Sequence, residues 1–239
     1  DEEARNYKVD QSFVNQMINA SALDNGLHAG DLKFVDLDGN NKIEQTTSAN
    51  DRKDMKVIGN SLPRYNYNFG ISADWYGIDF SVLFQGIGKQ NWYPGAETSM
   101  FWGPYSRPYA SFIPSDFMSQ VWSEENTNAY FPRPRGYVAL GSNRELAVVN
   151  TKYLQNLAYC RLKNLSIGYT LPDKWLSKIG FEKIRVYFSG ENLLTFTKLH
   201  SDYIDPEQAS ASNSWKTSKS DANIYPWAKT YSFGVDITF

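Results

Sequence analysis

The stretch YNYNFGISADWYGIDFSVLFQG, residues 65 to 86, sets the reading of the whole chain. Tyr65, Tyr67, Phe69, Ile71, Ala73 and Trp75 alternate without a break with Asn66, Asn68, Gly70, Ser72 and Asp74. A period of two is that of a strand whose two faces meet different surroundings. After Tyr76-Gly77, the residues Ile78, Phe80, Val82 and Phe84 resume the apolar face and Asp79, Ser81 and Gln85 the polar one; Leu83 breaks the pattern. Two such runs joined by two residues predict a tight antiparallel hairpin.

The same period recurs three times downstream. In LKNLSIGYTL (162 to 171), Leu165, Ile167, Tyr169 and Leu171 alternate with Asn164, Ser166, Gly168 and Thr170, and Pro172 ends the run. In IRVYFSGENLLTF, Ile184, Val186 and Phe188 oppose Arg185, Tyr187, Ser189 and Glu191. In YSFGVDITF, Tyr231, Phe233, Val235, Ile237 and Phe239 oppose Ser232, Gly234, Asp236 and Thr238. Each of these five strands is near the length that crosses a bilayer at a tilt.

The connections alternate as well. Short ones (76 to 77, 172 to 183) take turns with long ones (about 89 to 152, 197 to 225), the arrangement of a transmembrane β-barrel with short turns inside and long loops outside. This predicts an extracellular loop segment over 1–64, then five barrel strands and two extracellular loops over 65–239. A soluble carbohydrate-binding β-sandwich also alternates and also has loops at two ends. Tyr and Trp crowding the strand ends (Tyr65, Trp75, Tyr76, Tyr169, Tyr231) and the sorting of loop lengths by end favour the barrel.

Composition narrows the function classes. The 239 residues carry 24 basic and 26 acidic side chains, so no basic surface for nucleic acid is present. Aromatics make up 15 % of the chain although mean hydropathy is -0.51. No run of 18 apolar residues exists, which excludes a transmembrane helix but not a transmembrane strand. The single cysteine, Cys160, excludes an internal disulfide and a cysteine metal cluster. The opening residues DEEARNYKVD are charged and unlike a signal peptide. Five strands cannot close a barrel of at least eight, so the remaining strands are expected from a preceding segment or a second chain.

Ordered blocks of the sequence resemble one family. GDLKFVDLDGNNKIE (30 to 44), VIGNSLPRYNYNFGISADWYGIDFSVLFQG (57 to 86), YLQNLAYCRLKNLSIGYTLP (153 to 172), IRVYFSGENLLTFTK (184 to 198) and YPWAKTYSFGVDITF (225 to 239) are similar, in order, to the C-terminal part of the SusC-like TonB-dependent transporters of the Bacteroidota outer membrane. The resemblance implies the last five strands of a 22-stranded antiparallel barrel around a plug. It further implies energised import of oligosaccharides or oligopeptides, a SusD-like lipoprotein lid, and TonB contact through parts outside this chain. A terminal aromatic strand resembles the signal read by the barrel-assembly machinery, which makes Tyr231, Phe233 and Phe239 candidates for it.

Two stretches carry candidate sites. In DLDGNNKIE, Asp36, Asp38 and Asn40 occupy positions 1, 3 and 5 of a calcium-loop pattern, Lys42 offers a backbone carbonyl, and Glu44 or Asp51 stands in for the acid missing at Thr47. Ca²⁺ or Mg²⁺ is the expected ion, and an Asx-rich surface turn is the alternative. In NWYPGAETSMFWGPYSRPYASF, the rings of Trp92, Tyr93, Trp102, Tyr105 and Tyr109, with Arg107 as a polar hook, offer faces to a sugar or a protein lid; packing of the loop against itself is the alternative. The stretch 115 to 136 predicts a short helix that begins at a Ser115 cap, carries Phe117, Met118, Val121 and Trp122 near one face, and ends by Pro132. His28 and His200 lie in loops and Cys160 has no neighbouring histidine, so no catalytic triad is expected and the chain is read as a non-enzyme.

Overall fold

The computed structural model describes residues 2–11, 27–96, 98–106, 113–134, 140, 145–177, 180–212 and 226–239. Its strands are β1 (Arg64–Trp75), β2 (Ile78–Lys89), β3 (Asn91–Trp92), β4 (Gln155–Asn156), β5 (Tyr159–Thr170), β6 (Lys183–Thr197) and β7 (Thr230–Thr238). The five long strands form one antiparallel sheet in the order β1-β2-β5-β6-β7, and β3 pairs with β4.

The sequence periodicity becomes cross-strand register. Phe69 lies opposite Phe84, Phe80 opposite Ile167, Tyr169 opposite Val186, and Phe188 opposite Phe233. These pairs share one face, where rings meet at 5.0 Å (Phe69, Phe84) and 5.2 Å (Phe188, Phe233). The other face carries Asp79 opposite Gly168, Gly168 opposite Tyr187, Ser166 opposite Ser189, and Arg185 opposite Asp236. Leu83, the one break in the pattern, stands on this polar face opposite Gly70.

The hairpin predicted at 76–77 has φ of 47° at Tyr76 and 83° at Gly77. Two positive angles in a two-residue loop match the right-handed twist of the strands that flank it. A Cβ on Gly77 would lie 2.8 Å from the carbonyl oxygen of Thr170, so glycine is needed for space as well as for φ. One irregularity has no counterpart in the alternation. The β2–β5 register shifts by one beside Lys163, and the β5–β6 register shifts beside Asn192, whose φ is 53°. The extra residue on β5 is a β-bulge that turns Leu162 onto the apolar face and Arg161 onto the polar one, while on β6 the register skips both Asn192 and Leu193, so Leu194 and Thr195 keep the alternation of that strand.

The apolar face is uncovered. Phe233 keeps 83 % of its surface exposed, Ile71 61 % and Val235 58 %. A sandwich would bury these residues between its sheets, and among the described residues no sheet lies over them. The outermost strands β1 and β7 each have one unpaired edge among the described residues.

By internal contacts the chain divides into two compact units. One contains the sheet (Asn60–Trp92, Gln155–Ala211, Ile224–Phe239); the other joins Asp1–Gly59 to Tyr93–Leu154 and Ser212–Asn223. The first long connection thus belongs to a unit with residues 1–59. The helix expected from Ser115 is a single 3₁₀ turn, Phe117–Gln120, because Val121 is already extended and bridges Phe131. Asp116 holds this turn: its carbonyl accepts from the Ser119 hydroxyl at 2.6 Å and its carboxylate from the Gln120 amide at 3.2 Å.

Candidate functional site

Two ion networks occupy the polar face of the sheet. In the first, the Arg185 guanidinium donates from Nε and Nη2 to both oxygens of Asp79 at 2.8 and 2.6 Å, and from Nη1 to Asp236 at 3.2 Å. Arg185 is on β6 and Asp79 on β2, so the bridge passes over β5 at Gly168. A Cβ there would lie 2.4 Å from Asp79 and 2.6 Å from Arg185. Glycine is therefore what lets one arginine tie β2, β6 and β7 together. A fork-to-fork pair of this kind adds directionality to charge.

The second network is buried. Arg161, 2 % exposed, donates to Thr195 Oγ1 at 2.9 Å, Glu207 Oε2 at 2.7 Å and Asp205 Oδ2 at 2.6 Å. Lys163, the bulge residue, reaches Glu207 at 3.1 Å and lies over the Trp227 ring. Asp205 also caps the helix Pro206–Ser212, accepting from the backbone of Glu207 at 2.9 Å. The bulge and the cap together fold residues 199–209 onto the sheet's polar side. Sequence reading passed over this site, although Asp-Pro-Glu-Gln at 205–208 is a helix-start signal with proline at its first position.

The loop aromatics lie elsewhere than predicted. Trp92, Trp102 and Tyr105 are 3, 0 and 1 % exposed. Trp102 donates its indole N–H to the carbonyl of Gly95 at 3.0 Å and packs edge-on against Phe101 and Tyr153. Tyr105 stacks on Phe131, which stacks on Phe117, and its hydroxyl donates to the Pro132 carbonyl. Rings this buried have no face to offer a sugar or a lid, so the contact role predicted for these three residues is corrected to packing. The physical reason is that aromatic rings carry the largest apolar area per residue: Trp102 and Tyr105 make the interior of the unit that holds 93–154, and Trp92 is buried in the sheet unit. Tyr93 is half-buried, its hydroxyl donating to the Leu146 carbonyl at 2.8 Å. Burial raises the phenols of Tyr93, Tyr105 and Tyr153 well above their ordinary pKa. Arg107 and Tyr109 lie outside the described residues.

The calcium-loop pattern folds as a nest of Asx turns. Asp36 accepts from the backbone N–H of Gly39 and of Asn41, both at 2.7 Å, Asp38 from Asn40 at 3.1 Å, and Asn40 Oδ1 from Lys42 at 2.7 Å. Asn41 takes φ 61° where the pattern has glycine. Carboxylate oxygens of Asp36, Asp38 and Asp54 come within 4.8 Å of one another. Asp54, unmarked by the pattern, bonds the backbone of Leu37 and Glu44 at 2.7 Å. Glu44 instead pairs with Lys42 at 3.3 Å and Lys53 at 3.7 Å. Desolvation is the largest single influence on Asp36 and works to raise its pKa, but the amides of Asn41 and Gly39 together outweigh it and leave it lowered; Lys42 foremost, then Lys53, lowers that of Glu44.

Tyr231, Phe233 and Phe239 are all exposed on β7 and its end, with the Phe239 ring 5.2 Å from Phe181.

No family model matches the chain. It is 32 % identical over 212 residues to TonB-dependent receptor P3 of Formosa agariphila, covering 86 % of this chain and 19 % of the relative. TonB-dependent receptor P26 of the same organism is 26 % identical, with 93 % of this chain and 21 % of the relative covered. The chain thus spans about a fifth of the length of the curated relatives it matches. A solved structure of the RagAB peptide transporter superposes with a TM-score of 0.50 at 21 % identity, covering 82 % of this chain and 19 % of that one, a likeness of fold. A five-stranded sheet with one apolar and one ionic face, in a chain that aligns over most of its length with such receptors, belongs to the TonB-dependent receptors of the bacterial outer membrane.

Proposed function

We propose that the chain supplies five strands and two long extracellular loops of an energised nutrient importer, one that takes up oligosaccharides or oligopeptides under a SusD-like lipoprotein lid. The observation that carries this reading is the opposite character of the two sheet faces. The exposed apolar side chains suit lipid, and the Arg185 and Arg161 networks suit a wet interior. In this reading the 76–77 and 172–183 turns lie on the periplasmic rim, further strands complete a 22-stranded barrel, and energy reaches the plug from TonB through parts outside this chain. A solved relative is named as a peptide transporter, which favours a partnered importer over a soluble carbohydrate-binding module.

The test is uptake by cells carrying or lacking the full receptor, offered labelled oligosaccharide and oligopeptide mixtures. Loss of uptake on deleting either the receptor or TonB is expected; unchanged uptake in both strains would contradict the reading. In the same reading the 36–44 loop holds a weak, loop-ordering Ca²⁺ or Mg²⁺ between Asp36, Asp38 and Asp54, and calorimetry at millimolar Ca²⁺ decides it.

A further inference from the structure

The unit that contains residues 1–59 and 93–154 has a half-open cavity of about 650 Å³, within the range that holds small ligands. Leu32, Val35, Leu37, Ile43, Ile58 and Val148 give it an aliphatic wall, and six ionisable side chains line it: Asp31, Lys33, Glu44, Asp54, Lys56 and Lys152.

Most of these charges are already engaged. Asp31 accepts from the His28 backbone at 2.8 Å, Asp54 uses both oxygens on backbone N–H groups, and Glu44 pairs with Lys42 and Lys53. Lys33 pairs with Glu3 at 3.4 Å and covers the Tyr7 ring. Two ammonium groups remain. Lys56 makes no ion pair among the described residues, and Lys152 lies only over the ring of Tyr153. The six lining charges balance, three against three, but these two ammonium groups stand beside the apolar wall without a carboxylate partner among the described residues, and partial desolvation lowers the Lys152 pKa, so a bound anion would restore what its ammonium has lost.

The backbone adds a direction. Phe34 donates its N–H to Gln11 at 2.6 Å and accepts at its carbonyl from Tyr7 at 3.1 Å, and the Leu32 carbonyl accepts from Gln11 at 3.3 Å. Bonds at every second residue are those of an extended chain, in which N–H and C=O of alternate residues point to opposite sides. The N–H and C=O groups of Lys33 and Val35 make no hydrogen bond among the described residues. Lys33 and Val35 both line the cavity, and an extended stretch of this kind can accept an added strand.

We infer that this cavity binds a short peptide in extended conformation, its backbone paired along Lys33–Val35, its apolar side chains on the aliphatic wall and its C-terminal carboxylate on Lys56 and Lys152. Sugars are the poorer fit, because the rings that would stack on them, Trp102 and Tyr105, are enclosed. This rests on the importer reading and gives it a substrate class.

The test is calorimetry on the full receptor in detergent with three probes: the tetrapeptide Ala-Val-Leu-Val as free acid, the same peptide as C-terminal amide, and trigalacturonic acid. The free acid should bind at least about tenfold more tightly than the amide, and the Lys56→Gln/Lys152→Gln variant should bring the acid down to the amide's affinity. Both lysines are exposed, so the variant should fold, which unchanged affinity for the amide would verify. Equal affinity for acid and amide, an indifferent double variant, or no binding of the free acid would overturn the site. Trigalacturonic acid binding with the same lysine dependence would overturn the peptide assignment. Failure here alongside intact TonB-dependent uptake sinks the site alone; loss of the importer reading would show as absent uptake in the wild type.

Discussion

The sheet and the loop unit use the same residue types to opposite ends. On β1 and β7 the rings of Tyr65, Phe69 and Phe233 stand outside, while in the loop unit Phe101, Trp102, Tyr105 and Phe131 are almost wholly enclosed. Aromatic content alone therefore does not locate a surface. What differs is the setting: a strand alternates its side chains between two faces and leaves one whole face to its surroundings, whereas an irregular loop must collect its rings to have an interior at all.

The largest expected effect breaks the enclosed side of this contrast. Trp102→Ala should remove about 3–5 kcal/mol of local stability, the range for emptying a packed aromatic site. Hydrogen exchange should then rise across 93–154 and stay unchanged in β5 and β6. Exchange that rises equally in both would mean that the loop rings hold the sheet as well.

Arg161→Ala comes next and tests the buried network on the polar face. Removing Arg161 leaves the buried Asp205 with uncompensated charge while Glu207 keeps only Lys163, at a cost of about 3–5 kcal/mol. Proteolysis within 199–209 is the readout, and unchanged resistance would show that the segment is held by packing instead.

A smaller effect sharpens the open side of the contrast. Phe233→Arg should lower the unfolding free energy of the full receptor in bilayers by about 2–4 kcal/mol, the cost of a cation facing lipid. Ser232→Arg, one residue away on the other face, should cost far less, and equal costs would erase the distinction between the faces.

The smallest effect concerns pH. Asp36 and Glu44 both have lowered pKa values in the folded loop. Their contribution is complete above the ordinary carboxylate range of about 4 and is lost as pH falls through the lowered folded values. Amide protons of Gly39 and Asn41, bonded to Asp36, should exchange faster only below about pH 4; a change near neutrality would point to another group.

How far the sequence could be read follows from the same contrast. Unbroken alternation over 65–75 and 231–239 located strands within a residue or two, because a period of two leaves little freedom about which side chain faces where. Tyr76-Gly77 announced its turn through residue number and glycine. The bulge at Lys163 and the skipped pair Asn192-Leu193 were illegible, since one or two inserted residues leave local composition unchanged and show only in the register of the neighbouring strand. Ser115 looked like a helix cap, but the pairing of Val121 with Phe131 overrides that local preference after one turn. At the candidate sites, the Asx pattern of 36–41 was legible because its bonds are local, while Asp54, ten or more residues away from its partners, was not. The enclosure of Trp102 depends on Phe131 and Tyr153, which no spacing connects.

The most direct test of the central claim is accessibility along β7 in the full receptor reconstituted in lipid. Spin labels placed one at a time from Tyr231 to Thr238 would be read by collision with oxygen, which partitions into lipid, and with a water-soluble nickel chelate. Labels at Tyr231, Phe233, Val235 and Ile237 should favour oxygen, and labels at Ser232, Gly234, Asp236 and Thr238 the chelate, switching at every residue. A profile without alternation, or one in which all eight positions favour the chelate, would contradict a membrane-spanning strand with one face toward lipid.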